Sequence, residues 1–253
     1  MKLFRDTWLI FSQSVRTTLR MPVWVIIGIF QPLCYLLLFA PLLQGFSRVP
    51  GFPPGGAMTV FTPGLLIMMG IFGTVFNGFG LLFELQSGVI ERLRVTPVSR
   101  WALLLGRVLR DVLMLLIQSV LLVLVAILLG AHSNLTGLLL TFALLILLGA
   151  GLSACSYALA LALKDANALS SFLNTVSMPL ILLSGIYLPL TLAPALLRTI
   201  ANFNPFAYAV SAARLLFNGN LGDSAVIEGF VIMGVLMLAA LLWGAHSFQR
   251  ATT

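Results

Sequence analysis

The chain has 253 residues, of which 60% are hydrophobic and only 8% charged, with a mean hydropathy of +1.09. Soluble domains carry about a quarter charged residues, so composition excludes an ordinary water-soluble enzyme and predicts an integral membrane protein. The net charge of +7 comes from 14 scattered Lys and Arg residues rather than a basic stripe, which argues against a nucleic-acid partner and for topology signals.

Residues 2–20 set Phe4, Trp8, Phe11, Val15 and Leu19 at steps of three and four, with Arg5, Gln13, Arg16 and Arg20 on other faces. The pattern predicts an amphipathic helix lying in the cytoplasmic interface before Pro22 opens the first span. Two roles stand side by side for it, a plain anchor or a seat for a partner subunit. These first 22 residues do not resemble a cleavable leader, so the first apolar run is expected to stay in the mature protein.

A hydrocarbon core of about 30 Å needs about 20 apolar residues. Six spans meet that requirement, at about 23–43, 60–83, 101–129, 138–163, 169–190 and 225–248, so residues 1–22 form the interfacial helix and 23–253 one membrane domain. The apolar part of the third starts only at Val112 and that of the sixth at Gly229. Arg107, Arg110 and Asp111 are assigned to the interface, because each charge near the bilayer centre costs about 2.5–3.5 kcal/mol.

Three segments break this rhythm. Residues 45–56 are rich in Gly and Pro and read as a short external loop. Residues 84–107, ELQSGVIERLRVTPVSRWALLLGR, form the one sizeable charged insert. There Ile90, Leu93 and Val95 make an apolar ridge rimmed by Glu91, Arg92, Arg94 and Arg100, with Pro97 stopping the helix; such a helix fits a groove of a soluble domain. Arginines that hold the loop inside and bind anionic lipid are the other reading of the same residues. Ser184 to Phe217 is apolar but interrupted by Pro189, Pro194 and Pro205, which fits two short helices dipping back into the outer leaflet.

Eleven basic residues fall on one side of the six spans, while Arg48, Arg198 and Arg214 fall on the other, so both termini are expected in the cytoplasm. No G-x-x-x-x-G-K-[ST] run occurs, so the chain is not expected to grip ATP itself. All seven acids lie at or outside span ends, which weakens an ion-gradient-driven carrier, the alternative function. Cys34 and Cys155 sit in apolar runs as small hydrophobes, His132 and His246 at span edges, and no metal site is expected.

For a cargo path the second span offers Met69, Phe72, Phe76 and Asn77 beside the small face Gly70, Thr74 and Gly78, and the fifth offers Asn174, Ser177 and Met178 around Pro179. Adaptable Met and Phe surfaces suit apolar ligands. Ordinary helix packing is the plainer reading of each residue taken singly, and Gly149, Ser153 and Tyr157 on the fourth span are read as packing residues outright.

The pattern Glu84, Gly88, Glu91, Leu93, Pro97 and Arg100, followed by Leu105-Gly106-Arg107, resembles the cytoplasmic loop of type-2 ATP-binding-cassette permeases. Downstream, PLILLSGIYLPL and LRTIANFNPFAYAVSAARLLF are similar to the late signature of that family, in its daunorubicin-resistance-like branch of multidrug and lipid exporters. The resemblance implies an all-α membrane fold with six spans, an N-terminal interfacial helix, a coupling helix and an outer re-entrant pair before the sixth span. It implies that Glu84, Gly88, Glu91, Arg92, Leu93, Arg94, Pro97 and Arg100 contact an ATPase. It further implies an outer gate containing Ser184, Gly185, Pro189, Asn204, Pro205 and Tyr208. The expected partners are an ABC ATPase subunit that carries the ATP and magnesium, a second permease subunit, identical or paralogous, and membrane lipid. The expected cargo is a hydrophobic small molecule or lipid, and the expected location a bacterial inner membrane.

Overall fold

Helix is the only regular backbone among the described residues, as hydrocarbon demands, since every N–H and C=O there must find its partner within the segment. The computed structural model describes residues 2–20, 26, 28–38, 56–88, 99–187, 190 and 193–251. Glu91, Arg92, Leu93, Arg94, Pro97, Pro189 and the linker 45–55 lie outside the described residues.

In chain order the helices are α1 (Lys2–Leu19), α2 (Gly28–Leu38), α3 (Gly56–Val75), α4 (Gly78–Gln86), α5 (Arg100–Leu128), α6 (Leu135–Leu163), α7 (Ala166–Leu182), α8 (Ala195–Ala201), α9 (Pro205–Phe217) and α10 (Ser224–Ala251). Four stretches, Met58–Gln86, Arg100–Leu128, Leu135–Leu163 and Ser224–Arg250, are long and apolar enough to cross a membrane. Gly28–Leu38, Ala166–Leu182 and Pro205–Phe217 are apolar but shorter. The chain is therefore a membrane protein with several apolar helices.

Short polar side chains set where several of these helices begin. Asn134 accepts a hydrogen bond from the Thr136 amide, Asp165 from that of Ala168, and Asn204 from that of Phe206 with Pro205 at the first helical position. Each satisfies an amide that the first turn would leave open. The Asn134-Leu-Thr triplet is thus a helix cap.

α6 is the central post and packs against α3, α4, α5, α7, α9 and α10. It is apolar around its circumference, as a buried helix should be, and its buried small residues, among them Gly149, Ser153, Ala154 and Ala158, let neighbours approach closely. Gly149 and Ser153 behave as the packing residues expected. Tyr157 does more, as its hydroxyl partners below make plain.

One expectation about helix course changes. The second span is not one rod: it breaks at Phe76–Asn77, between α3 and α4. Ser156 of α6 spans the break, accepting from the Gly78 amide at 2.8 Å and donating to the Val75 carbonyl. A Cβ on residue 78 would meet the Ser156 carbonyl at 2.5 Å, so the broken rod rests on α6 at a glycine. The third span begins at Arg100 as continuous helix, and it carries Arg107 and Asp111 into the packed interior, each about 5–6% exposed. There Glu84 of α4 bonds Arg107, and Arg110 together with Tyr157 of α6 bonds Asp111.

Candidate functional site

α4 ends in a turn at Ser87 and Gly88, where Gly88 takes φ 71°, a left-handed conformation that glycine reaches without Cβ strain. Glu84 sits on the last turn before it, and Ser87 donates its hydroxyl to the Glu84 carbonyl. The Glu84 carboxylate accepts from Nη2 of Arg107 on α5 at 2.5 Å, with the two side chains 36% and 7% exposed. The Arg107 guanidinium also lies 5.9 Å over the ring of Phe248 on α10, a cation–π contact. Among the described residues no acceptor reaches its other terminal nitrogen, Nη1.

One turn further along α5, Arg110 and Asp111 pair and recruit Tyr157. Arg110 donates to Asp111 Oδ1 from Nε at 2.9 Å and from Nη2 at 2.6 Å. The Tyr157 hydroxyl donates to Asp111 Oδ2 at 2.5 Å and accepts from Arg110 Nη2 at 3.0 Å. Two cations and two anions thus close a neutral cluster over α4, α5 and α6, which is how buried charge is tolerated. Arg100, at the start of α5, directs Nη1 to the Gln249 carbonyl of α10 at 3.4 Å. Of the residues expected to contact an ATPase, Glu84 and Arg100 are therefore tied to other helices, while Gly88 closes the α4 turn onto the Leu85 carbonyl. The sequence reading assigned Arg107 and Asp111 to the interface and Tyr157 to packing, without pairing them. Their signal was an RxxRD run inside an apolar helix, whose cost demands partners.

A second cluster forms some 20 residues away along the α3–α4 rod, at roughly 1.5 Å rise per residue. α7 ends at Leu182, and the turn through Leu183–Tyr187 folds onto α3. The Ser184 hydroxyl donates to the Ile181 carbonyl at 2.6 Å, and Gly185 adopts φ 76°. A Cβ on Gly64 of α3 would lie 2.6 Å from the Ile186 carbonyl, so the backbone of this turn seats directly on that glycine. Arg214 of α9 fastens the seat: Nε donates to the Val60 carbonyl at 3.1 Å, and Nη2 to those of Gly185 at 2.7 Å and Ile186 at 3.2 Å. Asn204 completes it by donating Nδ2 to the Leu180 carbonyl at 2.6 Å. The Tyr187 ring meets Tyr35 of α2 edge-on, 6.1 Å between centroids.

The structure brings Ser184, Gly185, Asn204 and Pro205 into one cluster. Tyr208 stands beside it with its hydroxyl on the Asn202 carbonyl. The organiser, Arg214, had been read only as a topology mark.

The residues expected to line a cargo path are scattered instead. Met69 is packed in the core, Phe72 and Phe76 stack with centroids 6.5 Å apart, Asn77 sits at the break, and Asn174 bonds back to the Ser170 carbonyl. Met178 is exposed. Ser177 faces an apolar groove of about 270 Å³ between α3, α6, α7, α9 and α10 that also takes in Val75, Cys155, Phe172, Phe206 and Met237.

Comparison with known proteins adds a family to this geometry. The model of the ABC-2 type transporter family matches residues 5–218, from α1 to just past the end of α9. A putative transport permease, ycf38, of Cyanophora paradoxa is 29% identical over 201 residues, covering 79% of this chain and 69% of its own. The daunorubicin resistance ABC transporter permease protein DrrB1 of Streptomyces coeruleorubidus is 28% identical over 203 residues, 79% of this chain and 71% of its own. A probable multidrug ABC transporter permease, YbhS, of Escherichia coli is 28% identical over 213 residues, 81% of this chain and 55% of its own.

Proposed function

Because the chain belongs to the ABC-2 type transporter family and is thus a membrane permease subunit, we propose that it exports hydrophobic drugs or lipids as a dimer driven by separate ATPase subunits. In this reading ATP and magnesium reside on the partner, and segment 89–98 seats in it. α2 completes a first span and α7 a fifth, with α8 and α9 as the outer re-entrant pair. Both termini are cytoplasmic, and the membrane is a bacterial inner membrane.

The observation that carries the reading lies on either side of segment 89–98 in sequence. Glu84 and Arg100 are tied by side-chain bonds to α5 and α10, which gives force arriving there a path into the bundle. ATP-driven closure of the partners would then move the bundle between inward- and outward-open states, a population shift set by differential ATP affinity. The apolar groove and the names of the multidrug relatives support a lipophilic cargo.

Asp111 and Tyr157 favour one rival, because a buried carboxylate within a long apolar helix is what an ion-coupled carrier uses. Asp111 is instead held by Arg110 and Tyr157 in three bonds, the arrangement of a structural ion pair. Proteoliposomes holding the chain and its partner ATPase decide between the two. Export of a fluorescent lipid or daunorubicin that needs ATP and survives collapse of the ion gradients is expected. Export that follows the gradient and ignores ATP replaces this reading with the carrier.

A further inference from the structure

α1 divides into four faces, each about a quarter of the circumference at roughly 100° per residue. Thr7, Ile10, Ser14 and Thr18 form the face turned to the protein, and they lie against α5 at Gly106, where an added Cβ would meet Ile10 Cγ2 at 2.8 Å. Phe4, Trp8, Val15 and Leu19 make the next face. Phe4, Trp8 and Leu19 are 79%, 60% and 59% exposed, far more than aromatic and aliphatic groups meeting water would explain. Arg5, Arg16 and Arg20, with Leu9 between them, make the third face, directed away from α5. Asp6, Gln13 and Thr17 make the fourth.

The arginines are exposed, and among the described residues no carboxylate pairs with any of them. The order of faces fits one environment. A helix that rests its side on the bundle, sinks an aromatic face into acyl chains and carries a guanidinium row level with the rim of that face holds the row among phosphates.

We infer that α1 is a docking site for anionic phospholipid, in which Arg5, Arg16 and Arg20 bind headgroup phosphates while Phe4, Trp8 and Leu19 enter the acyl layer beside α5. The charge argument selects a lipid surface. Three cations without an internal partner and an adjoining apolar strip match an anionic headgroup joined to its chains, and guanidinium forks take phosphate in bidentate fashion. The inference rests on the membrane placement of the chain and is independent of export and its energy source. α1 crosses α5 at Gly106, the residue before Arg107, so lipid held there bears on the helix that carries the Glu84 pair.

The test uses the full permease with its partner ATPase in nanodiscs of mixed phosphatidylcholine and phosphatidylglycerol. The other three tryptophans, Trp24, Trp101 and Trp243, are changed to Phe so that Trp8 is the sole fluorophore. Bromine-labelled phosphatidylglycerol should quench Trp8 with roughly fivefold preference over bromine-labelled phosphatidylcholine at equal mole fraction, the enrichment that one basic side chain near an anionic surface delivers. The combined change Arg5→Gln, Arg16→Gln and Arg20→Gln should remove the preference and leave the quenching itself. Equal quenching by both lipids in the parent overturns the inference. So does quenching that disappears whenever the ATPase is bound, which would make this face a protein seat. If the Trp-depleted chain fails to assemble, native mass spectrometry of the parent and the triple Gln variant from the same discs reads retained phosphatidylglycerol directly. Equal retention by the two overturns the inference as well.

Discussion

Glu84 and Arg107 stand 23 residues apart in sequence and 2.5 Å apart in space, joining the end of α4 to the buried side of α5. Glu84 precedes segment 89–98 by one helical turn and Arg107 is buried in the bundle, so loss of the pair should be felt in stability.

Changing Glu84→Ala leaves the nearly buried Arg107 guanidinium with only the Phe248 ring for compensation. The expected cost is about 3 kcal/mol, the low end for breaking a buried pair, because Glu84 is itself partly exposed. Thermal unfolding in detergent measures the loss. The exchange Glu84→Arg with Arg107→Glu should recover part of it, and a doubly exchanged protein no more stable than either single variant would show that the pair contributes nothing.

Tyr157→Phe removes a hydroxyl that donates to Asp111 and accepts from Arg110. An unsatisfied buried oxygen costs about 1–3 kcal/mol, so this single-atom change should lower the melting temperature by more than the same change at half-buried Tyr208 does. Tyr208→Phe is the matched control, since its hydroxyl reaches only one exposed carbonyl.

Arg214 holds three carbonyls from two segments at once. Arg214→Lys keeps the charge but offers a point donor that cannot span Val60 and Gly185 together, and Arg214→Met keeps only the stem. Stability should fall in the order Arg, Lys, Met, with about 1–3 kcal/mol lost for Met. Hydrogen exchange at the Ile186 amide should speed up in the same order, and unchanged exchange would remove Arg214 from the role of clasp.

Gly64→Ala places a methyl 2.6 Å from the Ile186 carbonyl, backbone against backbone with no flexible tip to yield. A destabilisation of about 1–3 kcal/mol is expected from this overpacking. Gly80→Ala on the same rod, where open space surrounds the position, should be neutral or slightly stabilising by comparison.

Leu93→Asp tests the proposed coupling segment directly. Copurification with the ATPase and stimulation of its hydrolysis should both drop at least tenfold, while thermal stability of the permease alone stays unchanged. Normal stimulation would take the ATPase contact away from this segment.

Much of the architecture was legible along the chain. Hydropathy located the long helices 58–86, 135–163 and 224–250, helical spacing located α1, and the order of two motifs pointed to the family that the comparisons bear out. The break at Phe76–Asn77 had a local signal in Asn77-Gly78 that the reading took as a small packing face; the hydroxyl that bridges it belongs to Ser156 on another helix. How the second-span residues read as a cargo path are disposed was not legible either. Which face of an apolar helix meets a groove depends on its neighbours, and Met69 faces the core.

What the sequence determined by itself is the solvent and the scaffold: apolar runs long enough to replace water with lipid, capping residues at helix starts, and a basic bias between loops. Only the tertiary structure decided which charges meet, because hydropathy and period are local quantities whereas Glu84–Arg107, Tyr157–Asp111 and Arg214–Val60 close over separations of 23, 46 and 154 residues. Coulomb attraction and hydrogen bonding act through a few ångströms of low-dielectric space, and that distance does not exist until the helices have packed.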